Sequence, residues 1–156
     1  MKKTNVLRFL DKEKIPYDIK EYDYDEDHLS GQHIIDQVDL KANQIYKTLV
    51  LKGTKDYLVC CIPVLKEIDL KKLAKVSNEK NVEMIHQKDL LGLTGYVRGG
   101  CSPIGMKKKF VTYFEEDILN QNQIAVSAGK RGMQVILNPQ DLIACVDGKI
   151  VHIIKE

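Results

Sequence analysis

Two β-rich runs with a short turn between them constrain the fold more than any other part of this chain. The runs IYKTLVLKG and DYLVCCIPVL are joined through GTKD, with Gly53 in the turn. Apolar, β-branched segments connected by a few residues that include glycine predict a β-hairpin. The sequence therefore predicts a sheet that is at least partly antiparallel.

Helix and strand signals surround the hairpin without regular alternation. Residues 3–13 carry apolar side chains at helical spacing, with Thr4 as N-cap and Pro16 as the stop. Further helices are predicted at GQHIIDQV after Ser30, at IDLKKLAKVS, at HQKDLLGL ending near Gly92 and at QDLIACV, and further strands at YDIKEY, VEMI, FVTYF, the two halves of QIAVSAGKRGMQVIL and KIVHII. This mixture predicts one α/β domain of the α+β type over residues 1–156, with a curved, barrel-like mixed sheet surrounded by helices.

Charge and cysteine content narrow the functional class. The net charge of +2 gives no global basic field, so contact with nucleic acid would need a local patch. No apolar run reaches the roughly 20 residues of a membrane span, and the charged N-terminus does not resemble a signal peptide. We therefore expect a cytoplasmic protein with no membrane partner. The four cysteines form no C-x-x-C pair and no zinc-like spacing, so we expect free thiols, no metal and no cofactor.

The stretch GYVRGGCSPIGMKKK, residues 95–109, is the first candidate for chemistry. It lacks the lysine of a phosphate-binding P-loop, because Met106 stands at that position, and it does not match G-x-S-x-G around Ser102. None of the four histidines is marked by spacing as a base for Ser102. Its glycines allow a ligand to approach backbone N–H groups, although a tight structural turn explains them equally well.

Lys47 is the second candidate. Strand alternation places it on the same face as Leu49 and Leu51, where a lysine is costly unless it is paired or lines a cleft. The alternative is that the strand begins at Thr48 and that the lysine extends to solvent.

Three further features have an ordinary structural explanation. The turn SAGKRG fits a hairpin loop with exposed charges, and Asp141 fits the N3 position of a helix that begins at Asn138 and Pro139. Tyr22 fits either the core or a cleft.

Taken together, the segments resemble the YbaK/EbsC family, the free-standing relatives of the editing domain of bacterial prolyl-tRNA synthetases. The matching pieces are KIPYDIKEYDYD, YKTLVLKG, LTGYVRGGCSPIGMKKK and VSAGKRGMQVILNPQDL, in family order over essentially the whole chain. The chain departs from the family at Leu29, where relatives often carry an aromatic residue, and at Arg98 and Cys101, where apolar residues are common.

The resemblance implies a mixed-sheet fold and an aminoacyl-tRNA deacylase that removes cysteine from tRNA(Pro), with Cys-tRNA(Cys) as a further candidate substrate. It implies contact with the acceptor end of the tRNA and, as a candidate partner, prolyl-tRNA synthetase. It implies catalysis without a protein nucleophile or metal, in which the substrate thiol attacks its own ester.

The resemblance also assigns candidate residues. The catalytic set is Lys47, Gly99, Gly100 and Gly105. The charges beside the two glycine-rich turns, rather than the resemblance, give the candidate tRNA-binding set: Lys107, Lys108, Lys109, Lys130 and Arg131. The substrate-binding set is Tyr22, Leu29, Thr48, Ser102, Pro103, Ser127, Gly129 and Asp141. Two alternatives remain open at this point: a non-catalytic adaptor for tRNA or a synthetase, and a small-molecule or nucleotide-binding domain.

Overall fold

The computed structural model describes residues 2–24 and 31–156, the side chains of residues 31–33 excepted. Within these residues the order of elements is α1 (Asn5–Lys12), β1 (Asp18–Glu21), α2 (Gly31–Gln37), β2 (Tyr46–Gly53), β3 (Tyr57–Pro63), α3 (Leu70–Ser77), β4 (Val82–Met84), α4 (Gln87–Thr94), β5 (Val111–Glu115), β6 (Ile124–Ser127), β7 (Met133–Leu137), α5 (Pro139–Cys145) and β8 (Lys149–Val151). Short 3-10 turns cover Ala42–Gln44 and Glu116–Asn120.

The strands form two sheets. One has the order β4-β2-β3-β5-β8, in which β4, β2 and β3 are antiparallel while β5 and β8 add as parallel neighbours. The other is antiparallel, with the order β1-β7-β6. An isolated bridge between Ile45 and Ala125 links the described parts of the two sheets. The mixed α/β fold is confirmed, whereas a closed barrel is not seen among the described residues.

The β2–β3 hairpin is confirmed, and its register separates two faces. Lys47 lies opposite Ile62, and the residues that follow on the same face, Leu49 and Leu51, lie opposite Cys60 and Leu58. These partners all belong to one hydrophobic cluster, beside helix α3. The predicted inward register of Lys47 is therefore confirmed.

Helix α1 supports the turn between β6 and β7. Thr4 caps the helix as predicted, because its hydroxyl oxygen accepts a hydrogen bond from the Leu7 N–H at 3.2 Å. The same hydroxyl donates to the carbonyl oxygen of Ala128 at 2.6 Å, in the SAGKRG segment. Val6, also buried, packs beside Gly129. The helix thus holds the glycine turn against the core.

Helix α4 differs from the sequence expectation. It passes through Gly92 and continues to Thr94, with Gly95 as the C-cap. Thr94 is buried, and its hydroxyl donates to the carbonyl oxygen of Leu90 within the last turn of the helix. The 3-10 turns were not predicted either, and the proposed cap Ser30 lies outside the described residues. No helix in the described part of the chain has the length and apolar character that crossing a membrane requires.

A charged network fixes the C-terminal segment. The buried Glu115 carboxylate accepts from the Ile153 N–H at 2.6 Å, and its second oxygen lies 2.9 Å from His152 Nδ1. His152 Nε2 lies 2.6 Å from Glu156, which Lys72 also contacts at 2.7 Å. The hydrogen bond with Glu115, and then that with Glu156, raises the pKa of His152 above its usual value.

This network predicts a pH-dependent contribution to stability. Because the folded state raises the pKa of His152, protonated His152 stabilises the fold below its unfolded pKa of about 6.5, and this contribution disappears as pH rises through the higher folded value. We expect the melting temperature of His152→Asn to fall furthest below wild type at pH values below about 6.5 and to converge with it as pH rises through the folded pKa of His152. Thermal unfolding across this range measures the difference, and a deficit independent of pH would contradict the prediction.

Candidate active site

Lys47 lies near the start of β2 and is half-buried. Burial lowers the pKa of its ammonium group, and the negative charge of Glu67 acts in the opposite direction. The residue borders two cavities, one of about 200 Å³ and one of about 680 Å³, and Glu67 lines the second. Lys47 can therefore contact a ligand that occupies either cavity.

The 200 Å³ cavity collects several of the predicted residues. It lies where the start of β2, the glycine loop and the β6–β7 pair meet. Gln134 on β7 pairs with Ser127 on β6, so these two polar side chains share a face of the sheet. The lining residues are Ile34, Tyr46, Lys47, Thr48, Val64, Gly99, Cys101, Ser127 and Gln134. Lys47, Thr48, Gly99 and Ser127 belong to the predicted set.

Two residues of this lining each carry a buried polar atom with no hydrogen-bond partner among the described residues: the Tyr46 hydroxyl and the Gln134 side-chain oxygen. Both residues are 3% exposed. Buried polar groups are nearly always hydrogen-bonded, so an unpartnered pair at a cavity indicates a site for a polar ligand. Burial raises the pKa of Tyr46, which keeps its hydroxyl protonated as a donor.

Sequence reasoning missed both residues. The sequence shows Tyr46 only as part of a predicted strand and Gln134 only as one polar residue in the apolar run MQVIL. A lone glutamine between buried strand residues was the available signal, because a polar side chain there needs a partner.

The glycines of the predicted catalytic loop do not act alike. Gly99 lines the cavity. The Gly100 N–H instead donates to the Val97 carbonyl oxygen at 2.9 Å, and a Cβ at this position would lie 3.0 Å from the Lys130 backbone. Gly100 therefore serves the close packing of two loops. Gly105 borders a separate cavity of about 340 Å³.

The other predicted residues of this loop also lie away from the 200 Å³ cavity. Ser102 is completely buried, and its hydroxyl oxygen accepts from the Ile104 N–H at 3.3 Å. Pro103 is buried and, like Gly105, borders the 340 Å³ cavity. Ser102 and Pro103 thus shape the loop, and neither is among the residues that line the 200 Å³ cavity.

Cys101 lines the cavity with a thiol whose pKa burial raises to about 12. The thiol therefore stays protonated near neutral pH, and the protonated form is a poor nucleophile.

We predict that neither Cys101 nor Ser102 forms a covalent intermediate. Cys101→Ala should keep most of the wild-type activity, and Ser102→Ala should lose a few-fold because Ile104 loses its hydrogen-bond acceptor. Rapid quenching followed by intact-mass measurement checks for an acyl group on the protein. An acyl adduct that disappears in Cys101→Ala or Ser102→Ala would refute the prediction.

A larger groove of about 810 Å³ contains four further predicted residues: Tyr22, Gly129, Lys130 and Arg131. The groove and the small cavity are separated by two loops that pack on each other, since Gly100 rests on the Lys130 backbone. The Gly129 N–H donates to the Ser127 hydroxyl oxygen at 3.1 Å, which ties the groove wall to the cavity wall.

The remaining predicted residues are dispersed. Asp141 lies in the first turn of α5 behind the N-cap Asn138, which supports the ordinary helix-start explanation. Lys108 and Lys109 border the 340 Å³ cavity, Lys109 forms an ion pair with Asp147, and Lys107 is exposed. Leu29 lies outside the described residues.

One group in the described part of the chain has the proximity needed to bind a cation: Glu115, Glu116 and His152. It lines a separate cavity of about 850 Å³ that contains none of the predicted site residues. Glu115 and His152 already satisfy each other as an ion pair.

Comparison with known proteins identifies a domain and several relatives. Residues 32–145 match the model of the aminoacyl-tRNA editing domain. An Enterococcus faecalis protein named "Putative Cys-tRNA(Pro)/Cys-tRNA(Cys) deacylase EbsC" is 47% identical over 152 residues, which cover 97% of this chain and 93% of that protein. A proline–tRNA ligase of Fervidobacterium nodosum is 27% identical over 107 residues, which cover 61% of this chain and 18% of that larger enzyme.

Solved structures agree on the fold. A structure described as "a putative trans-editing enzyme for prolyl tRNA synthetase" superposes with a TM-score of 0.85 at 18% identity and covers the whole of both chains. A second, described as "hypothetical protein APE2540", has a TM-score of 0.88 at 14% identity and covers 97% of this chain.

Proposed function

Because this chain belongs to the aminoacyl-tRNA editing domain family, we propose that it is a single-domain deacylase that acts in trans to remove cysteine from tRNA(Pro), and also from tRNA(Cys). The observation that carries the assignment is the 200 Å³ cavity, with Lys47 at its border and two buried polar atoms that lack described partners. A cavity of this size suits a small amino acid joined to a ribose.

The lining suggests how the ester is held. The side-chain oxygen of Gln134 is an acceptor for the α-ammonium group of the aminoacyl moiety, and the Tyr46 hydroxyl is a donor for an oxygen or sulfur atom. The backbone N–H groups of Gly99 and Cys101 have no hydrogen-bond partner among the described residues, and we assign them to the ester carbonyl. Lys47 then contacts the terminal phosphate or ribose of the tRNA.

The proposed chemistry needs no protein nucleophile. Ser102 is buried and bonded within its own loop, and the Cys101 thiol is protonated. The thiol of the bound cysteine supplies the nucleophile, while the protein supplies position and charge stabilisation.

Selection of the tRNA is assigned to a partner, for which prolyl-tRNA synthetase is the candidate. The net charge of +2 provides no broad basic surface for a whole tRNA, so contact is restricted to the acceptor end. The exposed Lys130 and the half-buried Arg131, which both line the 810 Å³ groove, are the main candidate contacts. Charged tRNA is found in the cytoplasm, which is the proposed location.

Turnover of charged tRNA tests the assignment. Release of the amino acid is followed over a panel of tRNA(Pro) and tRNA(Cys) charged with cysteine, and of tRNAs charged with proline, alanine and serine. We expect rapid release of cysteine only. Binding of the acceptor end without release would instead support the adaptor function.

A variant of Gln134 tests how the amino acid is held. Gln134→Leu keeps the volume and removes the acceptor, so kcat/KM for cysteinyl-tRNA should fall about 10- to 100-fold, the usual cost of one hydrogen bond to a charged group. The control is Gln140→Leu, an exposed glutamine in α5. Equal rates for the two variants would remove Gln134 from the site.

A further inference from the structure

The 810 Å³ groove carries an exposed aromatic ring that the family assignment does not use. Tyr24 follows β1 and is 48% exposed, although it is a large apolar side chain at the wall of a groove. We propose that Tyr24 stacks on an unpaired base of the tRNA acceptor end, so that the groove binds the single-stranded 3′ segment. This inference rests on the proposed function and adds to it the place where the unpaired nucleotides lie.

The ring has a firm support. A Cβ atom at Gly132 would lie 2.8 and 2.9 Å from two carbon atoms of the Tyr24 ring, so the ring rests directly on the glycine backbone. Gly132 has a φ of +83°, a conformation that other residues rarely adopt. The backbone below is fixed as well, because the Tyr22 N–H donates to the Gly132 carbonyl oxygen at 2.9 Å. An aromatic ring held in this way is preorganised for stacking.

Cations stand in the same groove. Lys130 is exposed, and the Arg131 Nε donates to the Arg98 carbonyl oxygen at 2.7 Å, which leaves the terminal guanidinium nitrogens without a partner among the described residues. A stacking platform beside basic side chains is the usual arrangement for single-stranded nucleic acid.

Charge alone does not account for binding here. Glu21 and Asp23 line the groove together with Lys130 and Arg131, so two carboxylates face two cations. A phosphate backbone gains little net attraction from such a wall. Stacking does not depend on net charge and tolerates any base, so the Tyr24 ring supplies the attraction that the balanced charges do not.

The groove also lies in a suitable place. Its wall at Gly129 is bonded to Ser127, which lines the 200 Å³ cavity. An acceptor end with its aminoacyl ester in the cavity can therefore place its preceding unpaired nucleotide in the groove beside Tyr24.

Fluorescence provides a direct test, because the chain contains no tryptophan. The variant Tyr24→Trp introduces one fluorophore into the groove, and Tyr57→Trp introduces one at a half-buried tyrosine outside it. The trinucleotide CCA should quench the first variant and not the second. Inorganic tripolyphosphate, an anion without bases, should quench neither. Equal quenching by both ligands, or no quenching by CCA, would overturn the proposal.

Kinetics separates stacking from the proposed function. Tyr24→Leu should raise KM for cysteinyl-tRNA about 10-fold with kcat and the salt dependence of KM unchanged, whereas Tyr24→Phe should match wild type. A wild-type KM for Tyr24→Leu would overturn the stacking proposal and would leave the deacylase assignment unaffected. Quenching of Tyr24→Trp by CCA in a protein that releases no amino acid would support stacking and overturn the deacylase assignment alone.

Discussion

Lys47→Ala should lower kcat/KM for cysteinyl-tRNA about 100-fold or more while the fold remains intact. Lys47 is half-buried at the border of two cavities, on a strand face whose other members are apolar. Partial burial of a charged lysine costs desolvation free energy, so we attribute the presence of Lys47 to a ligand that it binds. Loss of a contact that positions the terminal phosphate or ribose, and with it the reacting ester, lowers the rate by about this factor.

The variant series separates function from stability. Lys47→Met removes the charge and keeps the stem, so its melting temperature should equal or exceed that of wild type while activity is lost. Lys47→Arg should also be impaired, because a planar guanidinium differs from an ammonium in size and geometry. Lys52→Ala, at an exposed lysine on the same strand, is the matched control. Wild-type rates from a well-folded Lys47→Ala would remove Lys47 from the mechanism.

Much of the fold was predictable because its signals are local. The hairpin follows from the composition of two adjacent runs, and the caps at Thr4 and Asn138 follow from side chains that bond backbone N–H groups two or three residues later. The end of α4 was not predictable in this way. Gly92 looks like a stop in the sequence, but the helix continues for two more residues, as far as the buried Thr94.

The candidate site was predictable only in part, because the roles of its residues depend on tertiary contacts. In the sequence, Gly99, Gly100 and Gly105 are equivalent candidates for the catalytic loop. Gly100 differs from Gly99 only through a tertiary contact, the loop that packs against it in the folded chain. Asp141 shows the reverse case, since its helix-start explanation was available from the sequence and the geometry supports it. Gln134 becomes a candidate only in the folded chain, where its side-chain oxygen is buried without a hydrogen-bond partner among the described residues.

The chemistry of release leads to the second large expected effect. Cysteinyl-tRNA should be deacylated about 1,000-fold faster than alanyl-tRNA or seryl-tRNA, even where these fit the cavity. A thiol held against its own ester reacts as an intramolecular nucleophile, an advantage that substrates without a thiol lack. Alkylation of the substrate thiol should stop release to the same extent. Single-turnover assays with matched tRNA measure both rates.

The product identifies the nucleophile. When the substrate sulfur attacks, a carbon–sulfur bond forms, the ester carbon–oxygen bond breaks, and the thiol proton ends on the departing ribose hydroxyl. Cysteine then leaves as a cyclic thiolactone, which water opens afterwards. We propose that the N–H groups of Gly99 and Cys101 stabilise the oxyanion along this path. Efficient release of alanine, or release of free cysteine without a thiolactone intermediate, would indicate a bound water instead. The deacylase assignment survives that result, because the same cavity can hold a water molecule, whereas the thiol mechanism does not.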